Sequence, residues 1–257
     1  MKPFDSVSCK LTAAEEIAAG IFDFRLCCPE LAALAVPGQF AQVRLPGRTL
    51  RRPISLCGID RERGELRLVF QVRGEGTAEL ARFQAGDSLE ILAPLGKGFP
   101  VDKAKRTLLL GGGIGVPPLL AAAQELGEAA VAVLGFRTRE AVILEEDFRA
   151  AGARVLVATD DGSYGFHGLV TRAAEGEDFQ ALFACGPGPM LRGARALAEK
   201  KGAAGYLSLE QRMACGVGAC LGCAVALLDE NGREYYGHVC KDGPVFPMEK
   251  IAESALG

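Results

Sequence analysis

The chain runs in two rhythms of apolar and polar positions. Up to about residue 100 the apolar positions come in short alternating runs: IFDFRL (21 to 26), QFAQVRL (39 to 45), ISLCGI (54 to 59), ELRLVFQV (65 to 72) and DSLEIL (87 to 92). Turns containing PG, RG and AGD separate them, and regular short strands of this kind predict a small antiparallel β-barrel or sandwich. Near Lys105 the rhythm changes to unbroken apolar runs: TLLLGG (107 to 112), AAVAVLGF (129 to 136), ARVLVATD (153 to 160), ALFACG (181 to 186) and AAGYLSL (203 to 209). Amphipathic stretches such as PPLLAAAQEL and PMLRGARALAEK lie between them, which predicts a parallel sheet covered by helices. Beyond Leu209 the pattern is too short for a core of its own. A strand AVALLD, a turn at Asn231 and Gly232 and a strand REYYG predict a hairpin that a metal or its neighbours must hold. The expected organisation is a barrel over 1–101, an α/β domain over 102–209 and a small module over 210–257.

Length and composition fit this division. At 257 residues the chain exceeds what one core usually serves, and with 49% hydrophobic residues it has enough apolar material for two. A net charge of -3, with both signs spread along the chain, offers no basic stripe for nucleic acid and no polybasic membrane patch. The opening MKPFDSVSCK carries no apolar signal region, and no apolar run is long enough to span a bilayer, so the expected location is the cytoplasm. Only two histidines, His167 and His238, are present, which argues against His-based hydrolysis. Among nine cysteines, Cys9, Cys27, Cys28 and Cys57 lack ligand spacing and are expected to be small buried side chains.

Three segments carry candidate chemistry. Arg51, Arg52, Pro53, Ile54 and Ser55 open a barrel strand, where a guanidinium followed by a hydroxyl suits a phosphate and main-chain amides suit a flat ring. With the turn Arg73-Gly74-Glu75-Gly76-Thr77 and the helix-like TAELARF beginning at Thr77, they form a plausible dinucleotide site. In the α/β region, Gly111 to Gly115 follow the first parallel strand, and Cys185-Gly186-Pro187 follows a later one; both loops should lie at the same sheet edge, where ligands gather. Last come Cys215, Cys220, Cys223 and Cys240. The spacing C-x4-C-x2-C with a distant fourth cysteine is that of a plant-type two-iron cluster. Zinc ribbons bring two C-x2-C pairs, and this segment has one.

Taken in order, these motifs resemble the ferredoxin-NADP reductase superfamily. RRPIS, the GEGT turn, APLGKGF (93 to 99), GGGIGVPPL, TDDGSYG (159 to 165), CGPGPM and SLEQRMACGVGAC are similar, more specifically, to the electron-transfer subunits of NAD-dependent, class 1B dihydroorotate dehydrogenases. The resemblance implies FAD at the barrel, with Arg52, Pro53, Ile54 and Ser55 contacting the flavin and its phosphates, Val69, Phe70 and Gln71 lining it, and Gly76 and Thr77 holding the pyrophosphate. It implies a 2Fe-2S cluster on the four cysteines, and NAD docking at Gly113, Gly115, Cys185 and Gly186. It also implies an FMN-bearing catalytic subunit as partner in a two-plus-two heterotetramer. Electrons from dihydroorotate would then pass from the partner's FMN through 2Fe-2S and FAD to NAD+, in the synthesis of pyrimidines. No general base for the substrate is expected in this chain. Two relatives within the superfamily stand as alternatives: the small subunit of an electron-bifurcating ferredoxin-NAD(P) oxidoreductase, in which an aspartate replaces one cluster cysteine, and an oxygenase reductase.

Overall fold

A strand absent from the sequence expectations opens the structure, a computed structural model that describes residues 5 to 257; Met1 to Phe4 of the N-terminal reading lie outside the described residues. β1 (Val7–Ala18) alternates cleanly at first, burying Cys9 and Leu11 between exposed Ser8, Lys10 and Thr12. Its second half, Ala-Ala-Glu-Glu-Ile-Ala, is rich in helix formers and buries little, so the period-two signal fades. Pairing with β2 (Ile21–Cys27) keeps it extended. With β3 (Phe40–Arg44), β4 (Arg52–Asp60), β5 (Glu65–Gln71) and β6 (Ser88–Leu95) these strands form a closed antiparallel barrel in the order β1-β2-β5-β4-β3-β6. Helix α1 (Pro29–Leu34) joins β2 to β3, and α2 (Glu75–Leu80) lies between β5 and β6, starting two residues before the expected Thr77. Leu11, Phe24, Leu26, Val43, Leu56, Leu66 and Phe70 fill the barrel. Cys9, Cys28 and Cys57 are buried, whereas Cys27, at the end of β2, is exposed, against the expectation that all four are interior.

All five unbroken apolar runs form strands of one sheet: β7 (Thr107–Gly112), β8 (Ala130–Phe136), β9 (Arg154–Thr159), and, after the short edge strand β10 (Phe166–His167), β11 (Ala181–Cys185) and β12 (Ala204–Ser208). These strands are mutually parallel. α3 (Pro117–Leu126), α4 (Glu145–Ala150), α5 (Val170–Ala173) and α6 (Gly188–Lys201) lie along the chain between them. The order β10-β9-β8-β7-β11-β12 reverses direction at β7, which puts the topological switch between β7 and β11. α3 also meets the barrel, since Leu119 and Leu120 share a buried cluster with Cys57 and Val69.

After β12 the chain enters the cysteine loop and then the expected hairpin, β13 (Ala224–Leu228) with β14 (Glu234–His238). α7 (Val239–Asp242) carries Cys240, and β15 (Val245–Pro247) adds to the sheet antiparallel to β12. Val225, Leu227, Val239 and Cys240 belong to one buried cluster with Leu207 of the sheet and with Phe40 and Leu92 of the barrel. The neighbours that this segment needs are therefore both larger units.

A charged cluster fastens barrel to sheet. Arg67, outward on β5, donates to both carboxylate oxygens of Asp23 on β2, with contacts of 2.7 and 3.0 Å, and to Asp147 on α4. Burial works against the charge on Arg67, but the hydrogen bonds it donates to Asp23 and Asp147 outweigh it and raise its pKa. Among the described residues no helix is long and apolar enough to cross a membrane.

Candidate electron-transfer site

The strand β4 begins with the arginine pair, and the structure divides its labour. Arg51 is committed to structure: its guanidinium donates to Glu90 at 3.0 Å and to Ser6 at 2.8 Å. Arg52 forms no ion pair among the described residues; it donates only to the carbonyls of Leu50 and Arg51, and its guanidinium lies over Gly76. A β-carbon at position 76 would overlap the Arg52 guanidinium, so a larger residue there would push that side chain off its seat. The Thr77 hydroxyl accepts from the N–H groups of Arg73 (2.8 Å) and Gly74 (3.2 Å) and donates to the Gly74 carbonyl, so that it shapes the turn. An arginine without a carboxylate, held against a glycine at a helix start, fits an anionic group such as a pyrophosphate.

Strand parity sorts the remaining barrel residues. Phe40 faces Ser55, and Gln42 faces Pro53, so these four share the outer surface of the barrel, while Ile54 points inward. On β5, Val69 and Gln71 also point outward. Phe70 does not: its ring is buried in the barrel edge-on to Phe24 at 5.0 Å, leaving its main chain as the part that could touch a ligand.

A cleft of about 790 Å³ opens between barrel and sheet. Gln71 and Arg73 line it from the barrel, Gly113 and Gly115 from the loop after β7, and Gly186 from the turn after β11, so both glycine loops meet at one edge as expected. Cys185 is 1% exposed, behind the cleft wall, and its carbonyl packs directly on Gly115. Burial first, then the negative charge of Glu210, pushes its thiol up to about 12, while Ser208 pulls it slightly back. It is a packing thiol, and the cleft is bordered by the next residue, Gly186. Glu210 also lines the cleft, and no spacing or motif within SLEQRMACG marks it in the sequence. Although it keeps solvent access, the protein around it raises its carboxyl pKa by burial, with Arg73 opposing.

The four spaced cysteines converge in two pairs. The Cys220 thiol reaches Cys215, and the Cys223 thiol reaches Cys240. Backbone amides turn inward on the sulfurs: Val217, Ala219 and Cys220 donate to Cys215 Sγ at 3.3 to 3.4 Å, Gly218 to Cys240 Sγ at 3.2 Å, and Cys240 to Cys223 Sγ at 3.4 Å. Burial resists ionisation of Cys215, but the N–H groups of Val217 and Cys220, the Cys220 thiol and the Ala219 N–H outweigh it and hold its pKa at about 6. Thiolate is the ligand form, and Cys215 is held toward it, whereas burial and the neighbouring Cys223 push the Cys240 thiol up to about 12. Among the described residues, no three Cys, His, Asp or Glu side chains are grouped to close on a single ion. Two pairs of thiols suit two irons with two protein sulfurs each. Cys223 and Cys240 are buried, Cys215 is half-buried and Cys220 is exposed, so the donor set runs from the core to the surface. Between Cys220 and Cys223 sits Leu221, 62% exposed in a left-handed conformation (φ 60°) that is strained for leucine.

A closed barrel with an arginine free of carboxylates, a switch-point cleft facing it and a cysteine loop between the two define an iron–sulfur reductase of the ferredoxin-NADP reductase type. Residues 210–252 match the family model for the iron-sulfur cluster binding domain of dihydroorotate dehydrogenase B. The chain is 45% identical over 256 residues to the dihydroorotate dehydrogenase B (NAD(+)) electron transfer subunit of Bacillus caldolyticus, covering 94% of this chain and 97% of that one, and 40% identical over 248 residues to its counterpart in Bacillus cereus (strain G9842), covering 92% and 95%. It belongs to the family of dihydroorotate dehydrogenase B (NAD(+)) electron transfer subunits. Among solved structures, an NADH-dependent reduced ferredoxin-NADP oxidoreductase studied for flavin-based electron bifurcation superposes with a TM-score of 0.85 at 31% identity, covering 96% of this chain and 91% of that one. Phthalate dioxygenase reductase, at 20% identity and a TM-score of 0.61 over 91% and 77% of the two chains, shares the fold. The identities favour the dihydroorotate family over the bifurcating and oxygenase alternatives.

Proposed function

We propose that this chain carries electrons from a dihydroorotate-oxidising partner subunit to NAD+, with FAD on the outer face of the barrel and a 2Fe-2S cluster on Cys215, Cys220, Cys223 and Cys240. The observation that carries the reading is the cysteine loop itself, whose inward amides, paired thiols and low Cys215 pKa sit beside the flavin-type barrel face. A bound flavin exchanges hydrides with a nicotinamide and single electrons with an iron–sulfur cluster, which is the conversion this arrangement calls for. The residues provide the rest. Arg52 and Gly76 hold the FAD pyrophosphate, Pro53, Ser55 and Gln71 offer side chains along the flavin, and Ile54, Phe70 and Val69, whose side chain packs against α3, offer main chain, with Thr77 fixing the turn. Gly113, Gly115 and Gly186 admit the nicotinamide nucleotide, with the Cys185 backbone behind them. Cys220 and the exposed Leu221 present the outer edge of the cysteine loop to the partner, an FMN-bearing catalytic subunit in a two-plus-two assembly. Nine cysteines, four of them proposed cluster ligands, suit a cytoplasmic location.

The direct test is chemical analysis and a visible spectrum of the purified chain. One FAD, two irons and two inorganic sulfides per chain are expected, with NADH-dependent reduction of an artificial dye. Stoichiometric zinc, or flavin without iron, would sink the proposal.

The barrel half can be tested separately. Gly76→Ala should drive the Arg52 guanidinium from its seat and remove a charge-assisted contact to the pyrophosphate, weakening FAD binding roughly ten- to hundred-fold. Gly74→Ala is the control: its backbone is extended (φ -177°) and no atom lies within 4 Å of the added carbon. Flavin content after dialysis against dilute FAD decides, and equal retention by the two variants would remove Gly76 from the site.

A further inference from the structure

Gln42 lies in the middle of β3, on the outer face of the barrel, with Pro53 opposite it on β4 and Leu92 opposite it on β6. It is 0% exposed, and neither its Nε2 nor its Oε1 has a hydrogen-bond partner among the described residues. A fully buried carboxamide lacking partners on both atoms is a costly arrangement that proteins keep for a reason. The side chain leaves the barrel toward the cysteine loop, where it meets Gly216. A β-carbon at Gly216 would lie 2.6 Å from Gln42 Cγ and 2.7 Å from its Nε2, and Gly216 holds φ at 73°. Gly216 directly follows Cys215, so the amide abuts the loop at one of the proposed ligands. The amides already described reach the sulfurs from within the loop; Gln42 comes from the barrel, on the same face as Pro53 and Ser55 of the proposed flavin strand.

We propose that Gln42 is a positioning residue of the iron–sulfur site, its buried carboxamide donating an N–H hydrogen bond to the cluster on the Cys215 side. This rests on the cluster reading given above. Hydrogen bonds to the sulfurs favour the reduced, more negative cluster and so raise its potential, and a donor supplied by the barrel ties that potential to the domain proposed to carry the flavin. Gln42 stands out in sequence only as one polar residue within FAQVR, which in an exposed strand position would need no explanation.

The test uses the full chain, wild type and Gln42→Leu, compared by iron and sulfide content, by the electron paramagnetic resonance spectrum of the reduced cluster, and by redox titration of cluster and flavin. The variant is expected to keep its iron, to shift the cluster midpoint to a more negative value and to alter the resonance line shape, with flavin content and flavin midpoint unchanged. An iron-replete variant with unaltered spectrum and midpoint would overturn the inference alone. A shift confined to the flavin would overturn it by assigning the amide to the other cofactor. Iron-free wild-type protein would instead overturn the cluster reading beneath it. Should Gln42→Leu fail to fold, Gln42→Met, which keeps the unbranched side chain and drops the amide, carries the same comparison.

Discussion

Replacing Cys220 with serine should bleach the cluster and abolish NAD-linked turnover of the assembled complex while leaving the fold intact. The side chain is exposed, so little packing is lost with the sulfur, and far-UV circular dichroism and the unfolding midpoint should stay near those of the wild type. Iron content and the cluster's visible absorbance should fall to near background. The separated catalytic subunit, with its own substrate site, should keep its activity with an artificial acceptor. The discriminating measurement is dihydroorotate-dependent NAD+ reduction by the complex. If that reaction survived in a variant shown to lack iron, the cysteines would have no place in the transfer.

The second large effect concerns stability. Arg67→Ala leaves Asp23, 5% exposed, as a buried carboxylate without its cation, and such a change typically costs about 3–5 kcal/mol. Asp147, on the far side of the same guanidinium, keeps more solvent, with 34% of its side chain exposed, so Asp147→Ala should cost about 1 kcal/mol or less. Thermal unfolding distinguishes the two, at roughly 2–4 °C of midpoint per kcal/mol for a chain of this size. The double replacement Arg67→Met with Asp23→Leu should recover much of the loss, because it removes both charges together. Equal losses for Arg67→Ala and Asp147→Ala would mean that contact between the units, rather than the unpaired Asp23, sets the cost.

How far the sequence reveals this molecule depends on how local each signal is. Strands such as TLLLGG and ALFACG are buried on both faces, and an unbroken apolar run marks them without outside help. The spacing of Cys215, Cys220 and Cys223 is likewise local, whereas Cys240 returns to Cys223 only through the hairpin and α7. β1 escapes because the AAEEIA half buries little, and only its pairing with β2 keeps it extended. Phe70 shows the limit of assigning a site by segment, since parity along β5 turns its ring into the barrel while its neighbours Val69 and Gln71 face out. Gln42 and Glu210 gain meaning only from what lies across from them, the cysteine loop and the cleft, and no window of sequence contains both sides.

The C-terminal strand β15 bears on how such proteins can be rearranged. Because it completes the sheet alongside β12, and because α7 and the hairpin share a core with the barrel, the metal-bearing segment is not a cassette that recombination could exchange for a free-standing ferredoxin. Cutting the chain after Leu209 would strip β12 of its neighbour and present an open, aggregation-prone edge. A lineage that trades one redox group for another on this scaffold must therefore do so by changing ligands in place, and the frame would outlast the metal.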